Sequence, residues 1–214
     1  MPLPQDPGLP RLTAAERERI HQALLDLCFE RGYPQVTVAA LCERGGVDRA
    51  AFDLEYADLE DCFCQVYIVE RDRFLAARAT ACAGLSGWRD RLRASAYTLQ
   101  HILAQDRKLA NFVIAEVRTA GERPLLLMGG VIETMLDLLD QGRGERQDPE
   151  AISRATAESI GGSIFNQIYA AVIQDVPLSD DMVQQMMYAA VLPYLGHAAA
   201  LEELHIPPPP VSDG

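Results

Sequence analysis

The chain is predicted to be all-α, with about nine helices arranged as an N-terminal three-helix helix-turn-helix unit followed by a C-terminal helical bundle, and to be dimeric. Three observations carry this. Apolar residues recur at helical spacing along most of the chain, capping residues and glycines punctuate those stretches, and no strand-period alternation appears. With 214 residues and 49% hydrophobic content, the chain is long enough to bury a real core.

Thr13-Ala14-Ala15-Glu16 is a capping box, opening a helix through Ile20, Ala23, Leu24, Leu27 and Cys28 that Gly32 ends. Thr37 caps a short second helix with Val38, Leu41 and Cys42 on its apolar face. Gly45-Gly46 then supplies positive-φ residues for a tight turn, and Asp48 caps a third helix over about Arg49 to Glu55 that buries Phe52. Two short helices joined in this way make a helix-turn-helix, the second helix presenting Arg49, Ala50 and Asp53 outward.

Asp58 caps a long fourth helix to about Ala83, the bridge between two domains. Trp88, Leu92, Tyr97, Leu99, Ile102 and Leu103 mark a fifth helix, and Asp106 opens a sixth through Phe112, Val113 and Val117. A seventh runs Leu125 to Leu139, and Gln141 to Pro149 is expected to be a solvent-exposed loop. Pro149 to Asp175 and Ser179 to Leu204 are the last two helices, the second kinked at Pro193. Both are apolar nearly all round. A second copy is therefore expected to cover Ile160, Ile164, Ile168, Met186, Met187, Val191 and Leu195. The domain expectation is a disordered arm at 1–10, a DNA-binding unit at 11–57, a ligand-binding and dimerisation unit at 58–205, and a Pro-rich tail at 206–214.

From Leu12 to Phe63 the chain resembles the TetR family of bacterial transcriptional regulators. The resemblance lies in Gly32-Tyr33, Thr37-Val38, the Gly46-Val47 turn and the series Asp48, Arg49, Phe52, Asp53, Tyr56, Leu59 and Glu60; Pro193 to Gly196 is also similar to the family's late-helix sequence. The resemblance implies a dimer that binds operator DNA through Thr37, Arg44, Asp48, Arg49, Ala50, Asp53 and Tyr56. Two positions depart from the family. Its groove-facing Tyr is Asp53 here, and its phosphate-contacting Lys is Leu59.

The net charge of −12 argues against a surface that courts nucleic acid or anionic lipid throughout, so a DNA-binding face has to be local. Residues 11 to 63 themselves hold six arginines against eleven carboxylates. Two functions stay open on this ground: a ligand-responsive DNA-binding regulator, and a TetR-like dimer whose acidic helix-turn-helix no longer binds DNA and which acts through ligand or protein contacts.

For the ligand, the bundle between Arg73 and Gln174 offers Tyr97, His101, Phe112, Glu116, Met128, Ile132, Met135, Phe165, Asn166 and Tyr169 as pocket candidates, suited to a small apolar molecule. Gly129-Gly130 and Gly161-Gly162 suggest close packing or a bend beside it. No catalytic motif, metal spacing or cofactor cradle is present, and Cys28, Cys42, Cys62, Cys64 and Cys82 read as reduced core residues. A cytoplasmic, non-enzymatic protein without a membrane span is expected.

Overall fold

The computed structural model describes residues 11–209; the predicted arm at 1–10 and residues 210–214 of the predicted tail lie outside the described residues. Nine α-helices and no strand are present among them.

Helix α1 (Ala14–Arg31) begins with the capping box: Glu16 N donates to the Thr13 hydroxyl at 3.2 Å while Thr13 N donates to the Glu16 carboxylate at 2.8 Å. Gly32 ends it at φ 78°. In α2 (Val38–Gly45), Ala40 N donates to Thr37, and Gly46 alone takes the left-handed conformation, at φ 60°. Gly45 stays helical, and its role is close approach. A Cβ there would sit 3.0 Å from Ile20 Cδ1, so glycine lets α2 settle directly on α1. Asp48 caps α3 (Arg49–Glu55), and Asp58 caps α4 (Leu59–Cys82). Ile20, Leu24, Leu27, Leu41, Phe52 and Phe63 are all buried between these four helices.

Helix α5 (Trp88–Gln105) follows, but the expected sixth helix is broken into three pieces. Helix α6 (Arg107–Ala110) passes into a π-helical turn over Asn111–Ala115 and a 3-10 turn over Glu116–Arg118. The widened turn carries Phe112 onto α4 and lets Glu116 reach back to Tyr33. Helix α7 (Glu122–Asp140) starts a turn earlier than predicted, Pro124 being tolerated in a first turn where its missing N–H has no partner to lose.

The segment expected to be an exposed loop is mostly exposed, but it is partly helical and anchored in the packing. Gln141–Glu145 forms a 3-10 turn in which Gly142 is buried against Trp88 and Tyr194. Arg146 donates to the carbonyls of Pro193 and Tyr194. Helix α8 (Arg154–Gln174) begins after a 3-10 turn at Pro149–Ala151, and α9 (Asp180–Glu203) is capped by Ser179. The kink predicted at Pro193 lies at Gly196, where φ 81° and ψ 178° interrupt the helix. Proline removes one donor, but only glycine accepts that backbone angle, and the Arg146 guanidinium satisfies carbonyls left beside the break. At the far end Glu203 is fully buried, with Arg89 at 2.6 Å and Arg93 at 2.7 Å fastening α9 to α5.

Gly142→Ala would place a methyl 2.6 Å from Trp88 Cζ2 and 2.8 Å from Tyr194 Cδ2. It should cost about 1–3 kcal/mol by overpacking. Urea unfolding followed by the fluorescence of Trp88 measures it; an unchanged midpoint contradicts the packing described.

Candidate functional site

Helices α2 and α3 present Thr37, Arg44, Asp48, Arg49, Ala50 and Asp53 to solvent. Tyr56, assigned to the same surface from sequence, does not belong there. It is 4% exposed, its ring lies 4.9 Å from Phe52, and burial pushes its hydroxyl well above the ordinary tyrosine range. Helix α3 ends at Glu55, so Tyr56 leaves the groove-facing side and turns into the core. Leu54, which sequence reasoning did not single out, is an exposed apolar residue on α3. Leu59 is half-buried against the first core cluster.

The cations of this unit are matched by carboxylates. Arg49 Nε donates to both oxygens of Asp53, at 2.8 and 2.9 Å, one turn along the same helix. Arg17 donates to Glu55 at 2.7 Å, and Arg44 grips Glu30 through two bonds of 2.8 and 2.9 Å, which raises the Arg44 pKa and lowers that of Glu30. Arg19 donates to the Gly45 carbonyl at 2.9 Å, fixing the turn. Exposed ion pairs are weak in water and yield to competing anions, so the pairs tune the surface without closing it.

A cavity of about 210 Å³ lies between α4, α5, α7, α8 and α9. One buried water needs roughly 10–15 Å³ of such volume, so the space is far above water size. Met128, Ile132, Met135 and Phe165 line it. The other predicted pocket residues lie elsewhere. Phe112 stacks on Phe63 with centroids 4.1 Å apart, and the Glu116 carboxylate accepts from Tyr33 N at 2.6 Å and from Asn111 at 3.2 Å. Tyr97 is buried in the second core cluster with its hydroxyl unpartnered, and burial raises its pKa. His101 sits 2.6 Å from the Gln105 amide, Asn166 faces solvent, and Tyr169 lies under the Arg118 guanidinium. Each miss is an error of helical phase: Leu99 and Gln100 line the space where Tyr97 and His101 do not.

Residues given from sequence to the dimer interface turn inward. Ile164, Ile168, Met186 and Met187 line the cavity, Val191 is fully buried, and Ile160 and Leu195 pack on the second cluster. Ile168, Met186, Met187 and Val191 are buried within their own chain, whereas Ile160, Ile164 and Leu195 are half-buried and keep some exposed surface. The sequence reasoning also missed the contribution of α4, whose Tyr67, Glu70 and Phe74 form one wall. Gly161 is on the wall too, and a Cβ there would overlap Leu136, whereas a Cβ at Gly129, Gly130 or Gly162 would meet no packed neighbour within 4 Å.

The two regions are joined through α4. Phe63 is held between Phe112 and the edge of Tyr33, whose centroid is 5.2 Å away. Arg123 N donates to Glu60 at 3.0 Å, Lys108 donates to Asp26 at 2.6 Å, and His21 Nε2 of α1 lies 2.8 Å from Glu70 Oε1. That last contact is close but not aligned as a hydrogen bond. Cys28, Cys42, Cys62 and Cys64 are buried, with thiol pKa values raised by burial, and Cys82 is half-buried; all five are free. Among the described residues no group of three or more ligating side chains is placed to hold a metal, and no helix is long and apolar enough to cross a membrane.

No protein-family model matches the chain, and no curated protein does. Solved structures do. The fatty acid degradation regulator FadR from Bacillus halodurans superposes with a TM-score of 0.70 at 17% identity, over 86% of this chain and 97% of that one. FadR from Bacillus subtilis, in complex with stearoyl-CoA, gives 0.67 at 20% identity over 84% and 98%. A TetR family transcription regulator from Marinobacter aquaeolei VT8 gives 0.62 at 14% identity over 83% and 94%. The chain therefore has the fold of the TetR-type transcriptional regulators.

Proposed function

We propose that the protein is a non-enzymatic, cytoplasmic TetR-type transcriptional regulator, a homodimer that binds operator DNA through residues 11–57 and a small apolar ligand through residues 58–205. The observation that carries this is the pairing of a capped helix-turn-helix with an apolar cavity through one helix, α4, which packs on the first near its start and lines the second with Tyr67, Glu70 and Phe74. A structural relative holds stearoyl-CoA, which supports a largely apolar ligand for the cavity here. Ligand occupancy would shift α4 and with it the separation of two recognition helices, provided that the ligand binds the two arrangements unequally.

A second function is favoured by one specific observation, the ion pairs that occupy Arg17, Arg44 and Arg49. In that case the helix-turn-helix is a retained scaffold, and the dimer acts through ligand or protein contacts. Fluorescence anisotropy on duplex DNA at low salt separates the two. A DNA-binding regulator binds weakly and loses affinity steeply with salt, because affinity rests on cations released against phosphates. Arg49→Ala should then weaken binding by about 1–3 kcal/mol, and Asp53→Tyr with Leu59→Lys should strengthen it. No binding by the wild type, with binding gained in the double variant, establishes the second function.

For the dimer, the outward faces of α8 and α9 are the surface a second copy would cover, with Gly162, Ser163 and Ile173 on one and Gln185, Ala189 and Leu192 on the other. Small residues there permit close helix approach. Leu192→Glu should convert the dimer to monomer in light scattering, since it would leave an unpaired charge in a buried interface; a wild-type mass of one 23.5 kDa chain removes the dimer altogether.

A further inference from the structure

The cavity wall is mostly apolar, and its charged groups lie on α4. Tyr67, Glu70, Arg71 and Phe74 line it at positions that share one side of that helix. Glu70 is the acid among them, and it is only 8% exposed. A carboxylate held so far from water needs partners. It has two, both at Oε1: Arg73 donates from Nη1 at 2.7 Å, and His21 Nε2 lies 2.8 Å away. Among the described residues Oε2 accepts no hydrogen bond.

The other polar groups along the wall are turned to partners of their own. The Arg71 guanidinium donates to Asp72, leaving its aliphatic stem toward the cavity. The Ser95 hydroxyl donates to the Arg91 carbonyl, and the Gln100 amide donates to the Leu178 carbonyl and to Asp180. Glu70 is thus the one charged group of the wall that still offers an acceptor to whatever enters.

We propose that Glu70 selects the ligand of this cavity, accepting from a cationic, hydrogen-bond-donating head carried on an apolar body, and that the same carboxylate reports occupancy to α1 through His21. The assignment rests on the ligand-responsive function proposed above. In a low-dielectric wall, a cation beside Oε2 gains far more than it would in water, whereas an anionic head of equal size meets repulsion. The transmission follows from the atom count. Arg73 is largely solvent-exposed and is a weak competitor, but His21 is buried on the first helix of the proposed DNA-binding unit, and among the described residues its Nε2 has no hydrogen-bond partner, with Glu70 Oε1 2.8 Å away. A head group that draws the carboxylate toward the cavity changes what lies beside His21 Nε2, so α1 meets a different charge in the filled and empty states. That difference is what a switch requires. His21 acts here as a positioning residue.

Calorimetric titration of the full chain with octylamine, 1-octanol and octanoate, each below its micelle concentration, tests the selection. Octylamine should bind at least about tenfold more tightly than octanoate, a preference that Glu70→Gln should abolish while leaving 1-octanol binding little changed. For the transmission, the imidazole proton resonance identified as His21 by its loss in His21→Gln should move on adding octylamine and stay in place with 1-octanol. Octanoate binding as well as octylamine overturns the selection and leaves a ligand-binding cavity standing. Binding by none of the three removes the cavity function, and the assignment with it. An amine preference with an unmoved His21 resonance overturns the transmission. Should Glu70→Gln fail to fold, the head-group order in the wild type decides the selection alone.

Discussion

The stacking of Phe63 on Phe112, with the Glu116 carboxylate holding the Tyr33 amide, is the constraint on which the other features depend. Phe63 belongs to α4 and Phe112 to the π-helical turn after α6, while Tyr33 follows α1. Three segments far apart in sequence therefore meet at one buried point. Each ring buries an apolar surface worth about 1.5–3 kcal/mol, and a stacked pair adds about 0.5–1.5 kcal/mol. The part-buried hydrogen bond from Tyr33 N to the Glu116 carboxylate adds about 1 kcal/mol more. These magnitudes exceed what the exposed ion pairs Lys108–Asp26 and Arg123–Asp58 contribute at the same boundary. The helix-turn-helix is thus fixed to the bundle by packing, and charge at the rim only orients it.

The consequence is that the cavity and the helix-turn-helix rest on one continuous core. The first cluster runs from Ile20 and Phe52 through Phe63 to Phe112 and Val117, with Met128 packed against its edge, and Met128 also lines the cavity. A change in the space around Met128 therefore reaches residues under α3 through contacts that cannot deform independently. What the acidic composition alters is the surface. Asp53, Glu55 and Glu30 pair with Arg49, Arg17 and Arg44, yet the backbone of α2 and α3 is held by the same caps whether or not those pairs form.

The fold was legible because its punctuation is local. Thr13, Thr37, Asp48, Asp58 and Ser179 each accept from a backbone amide a few residues on, and a capping residue does this regardless of what packs above it. The break in α9 was placed three residues early because proline announces itself in sequence, whereas Gly196 becomes decisive only through the backbone angle it adopts. The site was less legible, and for a different reason. Ile164, Ile168, Met186 and Met187 have the same apolar signature whether a second chain or the wall of an internal space removes them from water, so α8 and α9 read as an interface. Phe112 and Glu116 were displaced from the expected pocket by a π-helical turn that shifts helical phase, and nothing in Asn111–Ala115 signals it. Glu70 could have been found. An acid among Val66, Tyr67 and Phe74 on the buried face of α4 is a departure from the pattern that burial chemistry has to explain.

The claim that one core serves both ends is tested most directly by equilibrium urea unfolding with two probes. Trp88 is the single tryptophan and sits at the far end of the bundle from α2 and α3, while far-ultraviolet circular dichroism reports every helix. A shared core predicts coincident transitions with one midpoint and one slope. An earlier step in dichroism, the loss of α1 to α3 while Trp88 keeps its native fluorescence, would show two independent units and contradict it.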